Sequence, residues 1–123
     1  ERFPALFDYY ASTATKNDTF VAGTAGAGYA FLNQMSASQL QTYGERVGAL
    51  TAKYGPHVFD TYGYANISVH EAYAKAAKAG GAGPSAFVTQ PNWDQKDYHP
   101  YHCENENFAL SDGTPLICAS GDP

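Results

Sequence analysis

Three carboxylates in this 123-residue chain stand where acid–base chemistry could be placed: Asp60 in VFD, Asp94 in QPNWDQKD and Glu104 in HCENENF. Hydrolysis of a glycosidic bond needs two carboxyl groups, about 5 Å apart for retention and further for inversion, one of them protonated to assist the leaving group. Asp60 ends an apolar run and is the first candidate, with Asp94 and then Glu104 as its partner. Asp60 also has an ordinary use as a turn or capping residue before TYGYANIS. Tyr29, Tyr62, Tyr64 and Trp93 could offer flat faces to sugar rings, and Asn33, Asn66, Gln90 and Asn92 planar groups to hydroxyls. For any single tyrosine, core packing is the competing use.

Other chemistries fit less well. HPYHCENE gathers His99, His102, Cys103 and Glu104, but the proline between the histidines argues against a helix that would let them share a metal. No metal and no cofactor is expected. In FVAGTAGAGYAFL, residues 20–32, Gly26 and Gly28 are followed by Phe31 where a dinucleotide fingerprint needs its third glycine, and no Lys-Ser or Lys-Thr follows for a phosphate loop. The G-x-S-x-G elbow of serine hydrolases is absent. Seven Lys and Arg against twelve Asp and Glu leave a net charge of −5 with no basic stripe, so nucleic acid is not an expected partner. No apolar run approaches the roughly 18 residues of a membrane span.

Cys103 and Cys118 are the only cysteines and bracket a turn-rich segment, for which a disulfide is the simplest account. A closure of roughly 15 residues would stabilise by about 3 kcal/mol. Two N-glycosylation sequons, at Asn17 and Asn66, point with the cysteines to a secreted or extracellular setting. Asn66 cannot easily carry a glycan and also bind substrate. The chain begins with Glu1, so it is expected to be a single α/β domain over residues 1–123 that is a processed product or a piece of a larger chain.

These residues need a scaffold, and the pattern supplies one. FPALFDYYAST fits either a short helix or an extended lead-in, and TFVAGTA predicts a buried strand near residues 19–24. Ser36 and Gln39 have capping-box spacing before a face of Leu40, Tyr43, Val47, Leu50 and Tyr54, and Gly55-Pro56 stops that helix. HVFDTYG predicts a second strand. Ser68 and Glu71 repeat the capping spacing before Val69, Ala72, Tyr73 and Ala76, and the helix ends at AGGAG. PSAFVTQP and PLICAS are two further strands, separated by a long polar and aromatic stretch over residues 91–114.

Strand and helix alternating in this way predict parallel βα units, either part of a TIM-like barrel or a small open sheet. Ligands of such folds gather at the carboxyl ends of the strands. The segments leaving those ends, residues 23–35, 60–67 and 90–107, hold most of the candidate residues.

GAGYAFL, with FDYYAST before it and LQTYGERVGALTAKYG after it, resembles the C-terminal domain of the GxGYxYP putative glycoside hydrolase family. Gly26, Gly28 and Tyr29 match the motif, Phe31 stands for its second tyrosine and Leu32 replaces its proline. The resemblance implies a carbohydrate-active domain but brings no catalytic pair with it. A complete eight-stranded barrel needs about 250 residues, so this chain is expected to be a fragment, to need the rest of a parent chain or a second copy, or to form a smaller sheet. The competing expectation is a non-catalytic secreted glycoprotein with a structural, assembly or carbohydrate-binding role.

Overall fold

Ser36 starts the longest helix by reciprocal bonding: its hydroxyl accepts the Gln39 N–H at 3.3 Å, and the Gln39 side chain accepts the Ser36 N–H at 2.9 Å. This capping box satisfies two of the donors that a helix start leaves orphaned. The helix, α2 (Ala37–Tyr54), ends at Gly55, whose φ of 86° places it in the left-handed region that favours glycine. In the computed structural model, residues 4–23, 25–26, 28–55, 57–62, 66–90 and 108–118 are described, without the side chains of Pro4, Phe7, Tyr62, Gln90, Phe108 and Cys118. The N-terminal segment, for which the sequence allowed two forms, is helix α1 (Pro4–Thr13).

The cap of α3 (Ile67–Gly80) lies two residues before the expected one. Asn66, not Ser68, accepts the Val69 N–H on its Oδ1 at 3.0 Å, and the Ser68 hydroxyl donates to the same oxygen at 2.6 Å. Glu71 is therefore not part of a capping box. Its Oε1 accepts the Ser111 N–H at 3.0 Å.

Among the described residues five strands form one sheet in the order β1-β2-β3-β5-β4: β1 (Val21–Ala22), β2 (Val58–Tyr62), β3 (Ala86–Gln90), β4 (Phe108–Ala109) and β5 (Pro115–Cys118). The first four in that order run parallel, and β4 lies antiparallel on the outer edge of β5. This is an α/β fold with an open sheet, not closed into a barrel. Residues 108–114, expected as part of a long irregular stretch, are β4 and its turn into β5. Gly113 at φ 84° closes that turn, with the Leu110 N–H bonded to the Thr114 carbonyl at 2.9 Å.

Both crossover helices pack on one face of the sheet. Phe59, Phe87 and Leu116 project from it into a core completed by Leu40, Val47, Tyr73, Ala74 and Ala77. The buried stripe of α2 differs from the expected one: it is Leu40, Gly44, Val47, Gly48 and Thr51, while Leu50 and Tyr54 are exposed. Backbone, not side chain, makes the contact there. A Cβ on Gly48 would lie 1.9 Å from the Ala77 carbonyl oxygen, and one on Gly80 would lie 2.0 Å from that of Glu45. On α3 the buried residues are His70, Tyr73, Ala74, Ala76 and Ala77, with Ala72 outside that face.

Candidate functional site

The segment after β1 is a loop anchored from three sides. The Ala25 N–H donates to the Asp60 carbonyl of β2, and the Gly26 N–H turns back to that of Gly23. From α3, the Tyr73 hydroxyl donates to the Ala25 carbonyl; from α2, the Tyr43 hydroxyl donates to that of Gly28 at 2.9 Å. The two tyrosine rings stack with centroids 6.0 Å apart. Burial, with Tyr43 adjacent, pushes the Tyr73 phenol far above its ordinary range, so it stays protonated and donates.

This bracket explains the glycine. Ala25 is fully buried at φ 61° and Gly26 follows at φ 94°, where a Cβ would lie 2.6 Å from Val47 Cγ1 and 3.0 Å from the Tyr73 hydroxyl. Helix side chains, rather than a ligand phosphate, approach this backbone. Tyr29 leaves the bracket outward: it is 68% exposed, with the Phe31 ring edge-on at a centroid distance of 5.4 Å. Asn33 is also exposed, one residue into the single 3-10 turn Leu32–Gln34.

Asp60 lies within β2, two residues before its end. Phe59 and Thr61 face the helices, so by strand alternation the half-buried Asp60 side chain faces the other side of the sheet. Its carbonyl anchors the glycine loop while its carboxylate lies on the face away from α2 and α3. Tyr62 ends the same strand, with its side chain outside the described residues. Tyr64, Trp93, Asp94, Cys103 and Glu104 also lie outside the described residues, as does the side chain of Cys118.

On the helix side of the strand ends is a polar cluster that no sequence pattern singled out. His70 and Thr61 are fully buried, with Thr61 Oγ1 3.0 Å from His70 Nε2, and His70 Nδ1 3.2 Å from the Asn66 carbonyl oxygen. A carbonyl only accepts, so the Nδ1 contact calls for a proton on Nδ1, while the Thr61 hydroxyl lies within reach of both His70 Nε2 and, at 3.4 Å, the Val88 carbonyl. Thr89, paired in register with Thr61, has a buried hydroxyl without a partner among the described residues. The cluster fixes the start of α3 against β2. Among the described residues no group of three metal-ligating side chains comes together.

The model of the GxGYxYP putative glycoside hydrolase C-terminal domain family matches residues 1–111. The chain belongs to this family. No curated protein and no solved structure matches it. The letters of the family's name fall on the bracketed loop. Leu32, where the motif ends in proline, is 2% exposed and occupies the first position of the 3-10 turn, a place that suits proline. Leucine supplies core burial at the same point. No helix among the described residues is long and apolar enough to cross a membrane.

Proposed function

We propose that the chain binds and hydrolyses carbohydrate at the carboxyl ends of its parallel strands, with Tyr29 as a stacking platform and Asp60 as one of two carboxylates. One observation carries this reading: two helix tyrosines hold the family's motif loop at the Ala25 and Gly28 carbonyls, yet the adjacent Tyr29 is left exposed. A large aromatic displayed from a rigid loop suits the apolar face of a sugar ring. Asp94 and Glu104 are the proposed partners for Asp60, with Tyr62, Tyr64, Trp93 and Asn33 completing the platform. The Asn66 Oδ1 is engaged by the start of α3, so Asn66 is removed from the sugar-binding set.

We place this activity outside the cytoplasm. Asn17, in the exposed turn after α1, and the exposed Asn66 support that placement as accessible glycan acceptors. A Cys103–Cys118 disulfide belongs to the same proposal.

The test is binding and reducing-sugar release over a panel of soluble polysaccharides. Tyr29→Ala is expected to weaken binding by about tenfold with unchanged unfolding. Asp60→Asn is expected to abolish release and keep binding. Binding without release by the native chain would select the non-catalytic role, and a panel in which nothing binds would overturn both.

A further inference from the structure

Beside the motif loop lies a groove on α2 that the reading above does not use. Met35, Ser38, Gln39, Thr42, Tyr43 and Arg46 line it, and its volume is about 400 Å³, within the roughly 300–1,000 Å³ of small-ligand sites. Its tie to the loop is direct. The Tyr43 hydroxyl donates to the Gly28 carbonyl at 2.9 Å, and that carbonyl belongs to the peptide joining Gly28 to Tyr29, so the exposed tyrosine leaves the chain at the groove's edge.

Helical spacing builds this surface. Gln39, Thr42, Tyr43 and Arg46 recur at threes and fours on one face of α2, and Met35 comes in from just before the Ser36 cap. Met35 and Tyr43 are half-buried and give the groove an apolar floor, while the other four are exposed. The hydrogen-bonding capacity left over is unbalanced. The Thr42 hydroxyl donates to the Ser38 carbonyl at 3.0 Å, the Ser36 and Ser38 hydroxyls share a bond at 3.2 Å, and Gln39 Oε1 is taken by the Ser36 N–H. Among the described residues, Gln39 Nε2 and the Arg46 guanidinium have no partner.

The charge is unbalanced in the same direction. No carboxylate lines the groove. Positions three and four residues from Arg46 hold Thr42, Tyr43, Ala49 and Leu50, so no helix neighbour offsets it. Glu45, adjacent in sequence, accepts from Gln41 at 2.6 Å instead. The result is a strip of donors about 10 Å long, positive at the Arg46 end, over an apolar floor. Its complement is a ligand rich in acceptors, with an apolar face and one anionic group.

We propose that this groove is a subsite for an acidic sugar, in which a uronic acid carboxylate pairs with Arg46 and a hydroxyl two helical turns away accepts from Gln39 Nε2. A planar guanidinium matches a carboxylate with two parallel hydrogen bonds, which gives geometry as well as charge. The inference rests on the carbohydrate reading and names the substrate class for it. The net charge of −5 works against any polyanion, so a preference for the charged sugar requires a local cation.

Uronate oligosaccharides of galacto, gluco and manno configuration, each beside its neutral methyl ester, test the proposal by binding to the full chain at low salt. At least one uronate is expected to bind about tenfold tighter than its ester, with the gap shrinking as salt is raised. Arg46→Gln should abolish that gap and leave binding of the ester and the unfolding curve unchanged, and Arg46→Lys should restore part of it. Lys75→Gln, an equal loss of charge at an exposed site on α3, should keep the gap. Equal binding of uronate and ester by the native chain would overturn this inference and leave the carbohydrate reading standing. A gap that survives Arg46→Gln, or falls as far in Lys75→Gln, would overturn the assignment to the groove. If neither uronates, esters nor neutral polysaccharides bind, the inference and the carbohydrate reading fall together.

Discussion

Glycines are pressed by neighbours in two places in this molecule, and the pressure differs in kind. Between α2 and α3, Gly48 and Gly80 let backbone meet backbone, where a Cβ would lie 1.9 and 2.0 Å from a facing carbonyl oxygen, and a Cβ on Gly44 would lie 2.5 Å from that of Ala76. In the loop after β1, Gly26 meets side chains, Val47 and Tyr73, and also holds a left-handed φ of 94°. The second place depends on the first. Val47 and Tyr73 come from the two helices, so the close approach of α2 and α3 helps deliver the hydroxyl that holds the loop. Gly23 and Gly28, by contrast, have open space around them, so the motif's glycine is not tight throughout.

The sharpest way to break this ordering is Gly48→Ala. Alanine is the better helix former by about 1 kcal/mol, yet the Ala77 carbonyl 1.9 Å from the new Cβ forces the helices apart. The expected loss is about 3 kcal/mol, read from urea unfolding, with sugar binding weakened as the loop loses its bracket. A variant as stable as the native chain would sink the close-packing account. Gly26→Ala comes next, at about 2 kcal/mol from the left-handed backbone and the Val47 contact together. Here the unfolding slope should stay unchanged while binding falls, because the damage is confined to the loop.

Much of the scaffold was legible because it is written in local chemistry. The Ser36–Gln39 box, the Gly55 stop and the β-branched runs each act over a few residues, and they yielded α2, β1, β2, β3 and β5 in order. The helix interface was not legible, since a pattern scored on side-chain size passes over Gly44 and Gly48 and favours Leu50 and Tyr54, which are exposed. Strand β4 has two residues and no period to detect. At the site, Tyr29 was visible from the motif. Tyr43 and Tyr73 were seen only as members of apolar faces, because what matters is where their hydroxyls land, 15 and 48 residues away in sequence. His70 and Thr61 escaped for the same reason.

Removing the hydroxyls separates the bracket's two arms. Tyr73→Phe leaves the carbonyl of the buried Ala25 without that donor and is expected to cost about 1–2 kcal/mol. Tyr43→Phe releases the carbonyl of Gly28, an exposed residue that water can reach, and is expected to cost about 0.5 kcal/mol. Differential unfolding of the two variants checks the difference. Equal losses would mean that the arms act as one unit through ring stacking rather than through their separate hydrogen bonds.

The smallest effect should come from a contact that holds α3 by charge instead of packing. Lys78 on α3 is paired with Asp112 in the β4–β5 turn, and that hydrogen bond, together with those from Thr114, holds the Asp112 carboxyl well below its usual range. A depressed carboxyl pKa adds stability that is present above the ordinary Asp value, near 3.8, and is lost as pH falls toward the lower value in the folded chain. Both groups are open to solvent, so screening keeps the contribution small. Asp112→Asn should therefore unfold almost like the native chain at pH 7, and the remaining gap should close as the pH is lowered through 4 or when salt is raised. If Asp112→Asn at neutral pH costs as much as Gly48→Ala, then α3 is held chiefly by its charge contact with the turn, and the primacy given to the glycine-lined interface is wrong.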